Sequence, residues 1–139
     1  MKASRELNNA YKSLYRLLPI AEEFERELSN LHSVPQQYQI YYILPILNRL
    51  VVGKVRTTDF PDAIMLTPEI SEVLWVFQDL KTLRNKIIHT QRRFNYEEYM
   101  ELLVLLGNGQ GIHMKINKVL RLLEQRFGVD PTTLKLIQY

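Results

Sequence analysis

SRELNNAYKSLYRLLPIAEEFERELSNL, residues 4–31, decides the fold. Leu7, Leu14, Ala21 and Leu28 recur every seven residues, and Ala10, Leu17, Phe24 and Leu31 form the matching offset series. Together they draw one apolar stripe along a helix from about Ser4 to Leu31, with polar residues on the other side. Ser4 is placed to cap the first turn, although the position three later holds Leu7 where a capping box would want Glu or Gln. Pro19 falls opposite the stripe, so it is expected to kink or restart the helix outward without spoiling the seam.

Working outward, the helical period continues. A second helix is predicted from Pro35 to about Gly53, entered by a proline and closed by a glycine. Its middle, Tyr38-Gln39-Ile40-Tyr41-Tyr42-Ile43-Leu44, is apolar nearly all round, which predicts a central helix kinked at Pro45. Tyr38, Tyr41 and Tyr42 are accordingly read as core or dimer contacts ahead of base-stacking platforms. Residues 54–66 show no clean period and read as a connecting loop.

Thr67-Pro68-Glu69 is a start signal: cap, first-turn proline, then an acid. Ile70, Val73, Leu74, Phe77, Leu80 and Ile87 or Ile88 carry one face of a third helix to about Thr90. Asn95 with Glu98 resembles a capping box and opens a fourth helix to Leu106. Gly107 to Gly111 reads as a turn, Ile112 to Phe127 as a fifth helix closed by Gly128, and Asp130-Pro131-Thr132-Thr133 as the opening of a last short one. No strand pattern of any length competes. The expectation is one all-α domain over residues 1–139, a bundle of four to five helices.

Composition bounds the function. The 139 residues are 46% hydrophobic and 24% charged, with no cysteine. Disulfides, thiolate catalysis and cysteine-based zinc sites are excluded. The longest apolar run, Ile40 to Leu47, is far short of a bilayer span, so no membrane partner is expected. The N-terminus lacks the apolar core of a signal peptide, and cytoplasm is the expected compartment. Net charge is +3, which permits an anionic partner without requiring one. Its distribution says more. Glu22, Glu23, Glu25 and Glu27 crowd one segment, while Lys81, Arg84, Lys86, Arg92 and Arg93 form a run with no acid between Asp79 and Glu97.

Inside that run lies Leu83-Arg84-Asn85-Lys86-Ile87-Ile88-His89. It places a permanent cation, an amide and a titratable imidazole on about one and a half helical turns. Phosphate chemistry needs these parts: a planar donor fork for phosphate oxygens and a group that moves protons near neutral pH. RNA brings its own nucleophile, the 2′-hydroxyl. In-line attack on the adjacent phosphate then needs a base, an acid and charge neutralisation, with no metal and no cofactor. In this reading His89 moves protons, Arg84 holds the non-bridging oxygens, and Asn85 orients His89 or the phosphate. Lys81, Lys86, Arg92 and Arg93 are candidate contacts to the RNA backbone. One histidine does not readily make both proton transfers, so two copies meeting in a symmetric dimer would complete the site. The bland account is that the helix macrodipole favours histidine and other cations in a last turn.

Arg84-Asn85 with His89 resembles the motif of the HEPN superfamily: Arg, four to six residues, then His, with a polar residue directly after the Arg. That resemblance implies a small all-α bundle that dimerises. It implies Arg84 and His89 at the catalytic positions and Asn85 at the polar one. Many members are metal-independent endoribonucleases of toxin–antitoxin or phage-defence systems, acting on single-stranded or loop RNA under a protein antitoxin or regulator. Others are catalytically inactive and bind a protein partner, a nucleotide or nucleic acid, which is the alternative reading here. In the branch paired with a nucleotidyltransferase antitoxin a tyrosine stands two residues after the His. Here Gln91 stands there, which argues against that branch.

Other patterns are weaker. His32 and His113 have no partner at helical spacing that would make a metal pair, and no His-Glu-x-x-His, phosphate-loop or paired-carboxylate motif is present. No two short helices with a tight turn suggest a helix-turn-helix, so duplex DNA binding ranks third.

Overall fold

The computed structural model describes residues 3–53, 55–65, 67–90 and 111–137, with His32, Gln36, Ala63, Met65, His89 and Thr90 described by their backbone alone. Among these residues the protein is all-α. Its helices are α1 (Arg5–Asn30), α2 (Gln36–Val52), a one-turn α3 (Asp62–Met65), α4 (Pro68–Thr90) and α5 (Ile112–Phe127), with 3₁₀ turns at Leu31–Ser33 and Thr57–Asp59. Each long helix packs on two others: α1 on α2 and α5, and α4 on the same pair. No described helix is long and apolar enough to cross a membrane.

The seven-residue stripe does what its period predicts. Leu7, Ala10, Leu14, Leu17, Ala21, Phe24 and Leu28 are all buried, as is Leu31 just beyond the helix. Ser4 caps α1, its hydroxyl oxygen accepting from the Leu7 amide at 3.0 Å. Pro19 is exposed and α1 runs through it. A proline on the solvent side displaces only a backbone bond that water can replace.

Four expectations are corrected. First, α2 is not central along its whole length. Ile43, Ile46, Leu47, Leu50 and Val51 are buried, but Tyr38, Tyr41 and Tyr42 are exposed. Its apolar residues divide into an aliphatic face toward the bundle and an aromatic face toward solvent. Second, residues 54–66 are more than a connector, because Val55, Phe60 and Ile64 join the core. Third, the inner face of α4 also includes Val76 and Leu83, while Leu74 is only partly buried and Ile88 is exposed. Fourth, the segment from Asp130 is a tight turn and not a helix. The Asp130 carboxylate accepts from the amides of Thr132 and Thr133, Val129 bridges to Leu136, and Leu134 takes a positive φ of 57°. The short aspartate side chain competes for the amides that a helix would need. Asn8 on α1 docks the turn's far side, accepting from the Leu136 amide at 2.8 Å and donating to its carbonyl at 3.3 Å.

The fourth predicted helix, Asn95 to Leu106, and the turn after it to residue 110 lie outside the described residues, as do Arg92 and Arg93.

Candidate functional site

Arg84 stands on the flank of α4 that turns toward α2, six residues before the helix ends. Its side chain is partly buried and firmly placed. Nε donates to the Asn85 side-chain oxygen at 2.9 Å, and Nη1 donates to the Asn48 side-chain oxygen of α2 at 3.3 Å. A guanidinium has five N–H donors. The rest of the fork meets no acceptor among the described residues, and no carboxylate there faces it. Among the described residues two neutral amides orient the cation and no carboxylate offsets its charge, a condition that favours an anionic ligand.

Asn48 is absent from any reading of the motif. It lies 36 positions from Arg84, and only the packing of α2 on α4 joins them. One sequence signal points to it: Asn48 interrupts the apolar run of α2, and a partly buried amide in such a run needs a hydrogen-bonding partner.

The remaining predicted residues divide. Lys81 sits one turn before Arg84 on the same flank and is partly buried. Lys86 is exposed about 200° round the helix from Arg84, on another face. The backbone of His89 belongs to α4, but its side chain lies outside the described set, as do Arg92 and Arg93 altogether. The structure thus brings together Arg84, Asn85 and Asn48 with Lys81 nearby, and leaves Lys86 apart.

Asn48 also lines an open groove of about 410 Å³ between α1 and α2, together with Ser13, Arg16, Leu17, Ile20 and Arg49. Arg49 crosses to Glu23 of α1 at 2.8 Å. Arg16 has no ion-pair partner among the described residues.

No family model, curated protein or solved structure matches this chain. The site's chemistry therefore rests on its own residues.

Two further polar clusters tie helices together. Glu25 of α1 reaches the start of α5, where Gly111, the capping residue, has no side chain to offer. Its Oε1 accepts from the His113 amide at 3.0 Å and its Oε2 lies 2.5 Å from His113 Nδ1. A carboxylate here satisfies a free backbone donor and meets the positive end of the helix dipole. Part of the acidic run is therefore structural, and His113 has a structural partner.

The second cluster joins α1 to α5. The phenols of Tyr11 and Tyr15 donate to one oxygen of Glu124, at 2.6 and 2.5 Å, and Arg121 pairs with the other. Burial pushes the Glu124 carboxyl upward, but the bonds from Tyr11, Tyr15 and Arg121 outweigh it and hold the group below its ordinary value. Burial, then the bond to Glu124, pushes the Tyr11 phenol well above its ordinary value, and the bond to Glu124 raises Arg121. This cluster is internally satisfied and offers no free proton-transfer group. Among the described residues no group of three or more His, Asp or Glu side chains is arranged to hold a metal ion.

Proposed function

We propose that this chain is a metal-independent endoribonuclease of HEPN type, working as a homodimer on single-stranded or loop RNA. The observation that carries the reading is the state of Arg84. It is oriented by Asn85 and Asn48, and no described carboxylate neutralises it. A purely structural arginine at a helix–helix contact is ordinarily paired, because a partly buried unpaired charge is costly. A phosphate would supply the partner that the described residues do not.

In the proposed reaction His89 takes the proton from a ribose 2′-hydroxyl. The freed oxygen attacks the adjacent phosphorus, and Arg84 binds the non-bridging oxygens as negative charge grows on them. The bond from phosphorus to the 5′-oxygen breaks, and that oxygen takes a proton from His89 of the partner subunit. The products are a 2′,3′-cyclic phosphate and a free 5′-hydroxyl. Asn85 positions Arg84, and Lys81, Arg92 and Arg93 contribute backbone contacts, while Lys86, on another face of α4, would meet only RNA that extends round the helix. A toxin or phage-defence setting, with a protein antitoxin holding the enzyme in check, is part of the same proposal.

The test is cleavage of RNA by the purified protein in EDTA, with Arg84→Ala and His89→Ala beside it. The proposal expects cyclic-phosphate ends from the wild type, and a loss of at least about a hundredfold in each variant. RNA left intact by a folded dimer would refute it.

A further inference from the structure

The α2 face turned to solvent gathers three exposed aromatic rings. Tyr38, Tyr41 and Tyr42 are 50%, 74% and 55% exposed, and Val52 is 79% exposed. With Pro45 and Arg49 they fall within about 100° of arc on α2, at 100° per residue. Asn48 lies about 20° beyond Tyr41 at the edge of this face and some 10 Å further along the axis. There it holds Arg84 at 3.3 Å and lines the groove that contains Arg16. Aromatic face, groove and cation are continuous through that one amide.

Charge indicates what covers the face. From residue 28 to residue 58 the sequence has Arg49, Lys54 and Arg56 and no Asp or Glu. Glu23 of α1 reaches this face, where it pairs with Arg49 at 2.8 Å. Exposed rings on a segment that carries no acid of its own, beside the oriented Arg84, match what unpaired nucleotides need: π faces for bases and positive charge for phosphates. Paired bases cannot reach the rings.

We propose that the outward face of α2 and the adjoining α1–α2 groove form a track for single-stranded RNA, whose bases stack on Tyr38, Tyr41 and Tyr42 and whose phosphates pass Arg16 toward Arg84. This rests on the ribonuclease reading above and gives its unpaired substrate a binding surface outside the motif.

The experiment is fluorescence anisotropy with a labelled single-stranded RNA and the same strand in a duplex, in EDTA, on a His89→Ala background. Tyr41→Ala, Tyr41→Phe and Arg16→Ala are compared, with sedimentation of each. The strand binds more tightly than the duplex. Tyr41→Ala weakens it by about five- to a hundredfold with the salt slope unchanged, the loss of one stacked base. Tyr41→Phe keeps it, since the ring and not the hydroxyl matters. Arg16→Ala weakens it and flattens the salt slope by about 0.7, one single-strand phosphate contact. If the wild type binds and cuts RNA but Tyr41→Ala binds equally well, the track is wrong and the nuclease reading survives. If Tyr41→Ala alters the sedimenting species and leaves RNA affinity intact, the face is a subunit interface and the track is overturned. If His89→Ala and wild type both bind no RNA, track and nuclease reading fall together.

Discussion

An arginine that donates only to amides keeps its field, whereas a carboxylate acceptor offsets that field with an opposite charge. Arg84 is the first kind, with Asn48 and Asn85 as its acceptors. Asn48→Asp tests the difference with almost no change in shape. The new carboxylate would neutralise Arg84, so the melting temperature should hold or rise while RNA affinity and cleavage fall by about tenfold or more, the worth of a charge-assisted contact. Unchanged cleavage would mean that Arg84 meets no phosphate. Arg84 and Asn85 were both singled out because they lie in one motif, but the bond between them was not, since Asn85 was expected to orient His89 or the phosphate. Asn48 was not, because nothing in a linear pattern records which helix packs on which. Residue chemistry also sets a pH dependence. The Tyr11 phenol is raised from 10.0, so the native state favours its protonated form. Its stabilising contribution is complete below pH 10.0 and is lost as pH rises toward the folded value. Glu124 is lowered from 4.5, so its contribution is present above that pH and lost as pH falls below it. Melting temperatures should therefore decline more steeply from pH 9.5 to 11 for the wild type than for Tyr11→Phe. Parallel declines would remove Tyr11 from the account.

Among the elements, the helices with one strong stripe were the most legible. The predicted first, third and fifth helices match α1, α4 and α5 to within a residue at their ends, because stripe, cap and stop signals agree. The second was located but its surroundings were misjudged. Tyrosine counts as apolar in a periodicity, yet its ring can lie on a surface with the hydroxyl in water, so Tyr38, Tyr41 and Tyr42 mimicked a buried helix. The start of α5 hid a different device. Glu25 reaches it from another helix, and a Cβ on Gly111 would approach its Oε1 to 2.2 Å. Gly111→Ala should push that carboxylate away, strip the cap and cost about 1–2 kcal/mol, read as a drop in urea midpoint. Glu25→Gln should cost less, because its amide oxygen can still accept from the His113 amide. An unchanged midpoint in Gly111→Ala would show that the helix start needs no help from α1.

At the scale of the whole molecule, the four long helices of the described residues enclose one buried apolar cluster, and charged groups tie them together. Glu23, Glu25 and Glu124 tie helices together, while Arg84 and Arg16 meet no described carboxylate. Among the described residues, Arg84 at the α2–α4 contact and Arg16 in the α1–α2 groove are thus the cations offered to an anionic polymer. The proposed chemistry needs two proton-transfer groups, and each copy of the motif supplies one, so activity should belong to the dimer. The direct test is the rate of RNA cleavage per protomer in EDTA, followed over a range of protein concentrations in which sedimentation shows monomer giving way to dimer. The rate should be negligible for the monomer and rise in step with the dimer fraction. RNA that stays intact at every concentration, or a per-protomer rate that is flat across the transition, would contradict it.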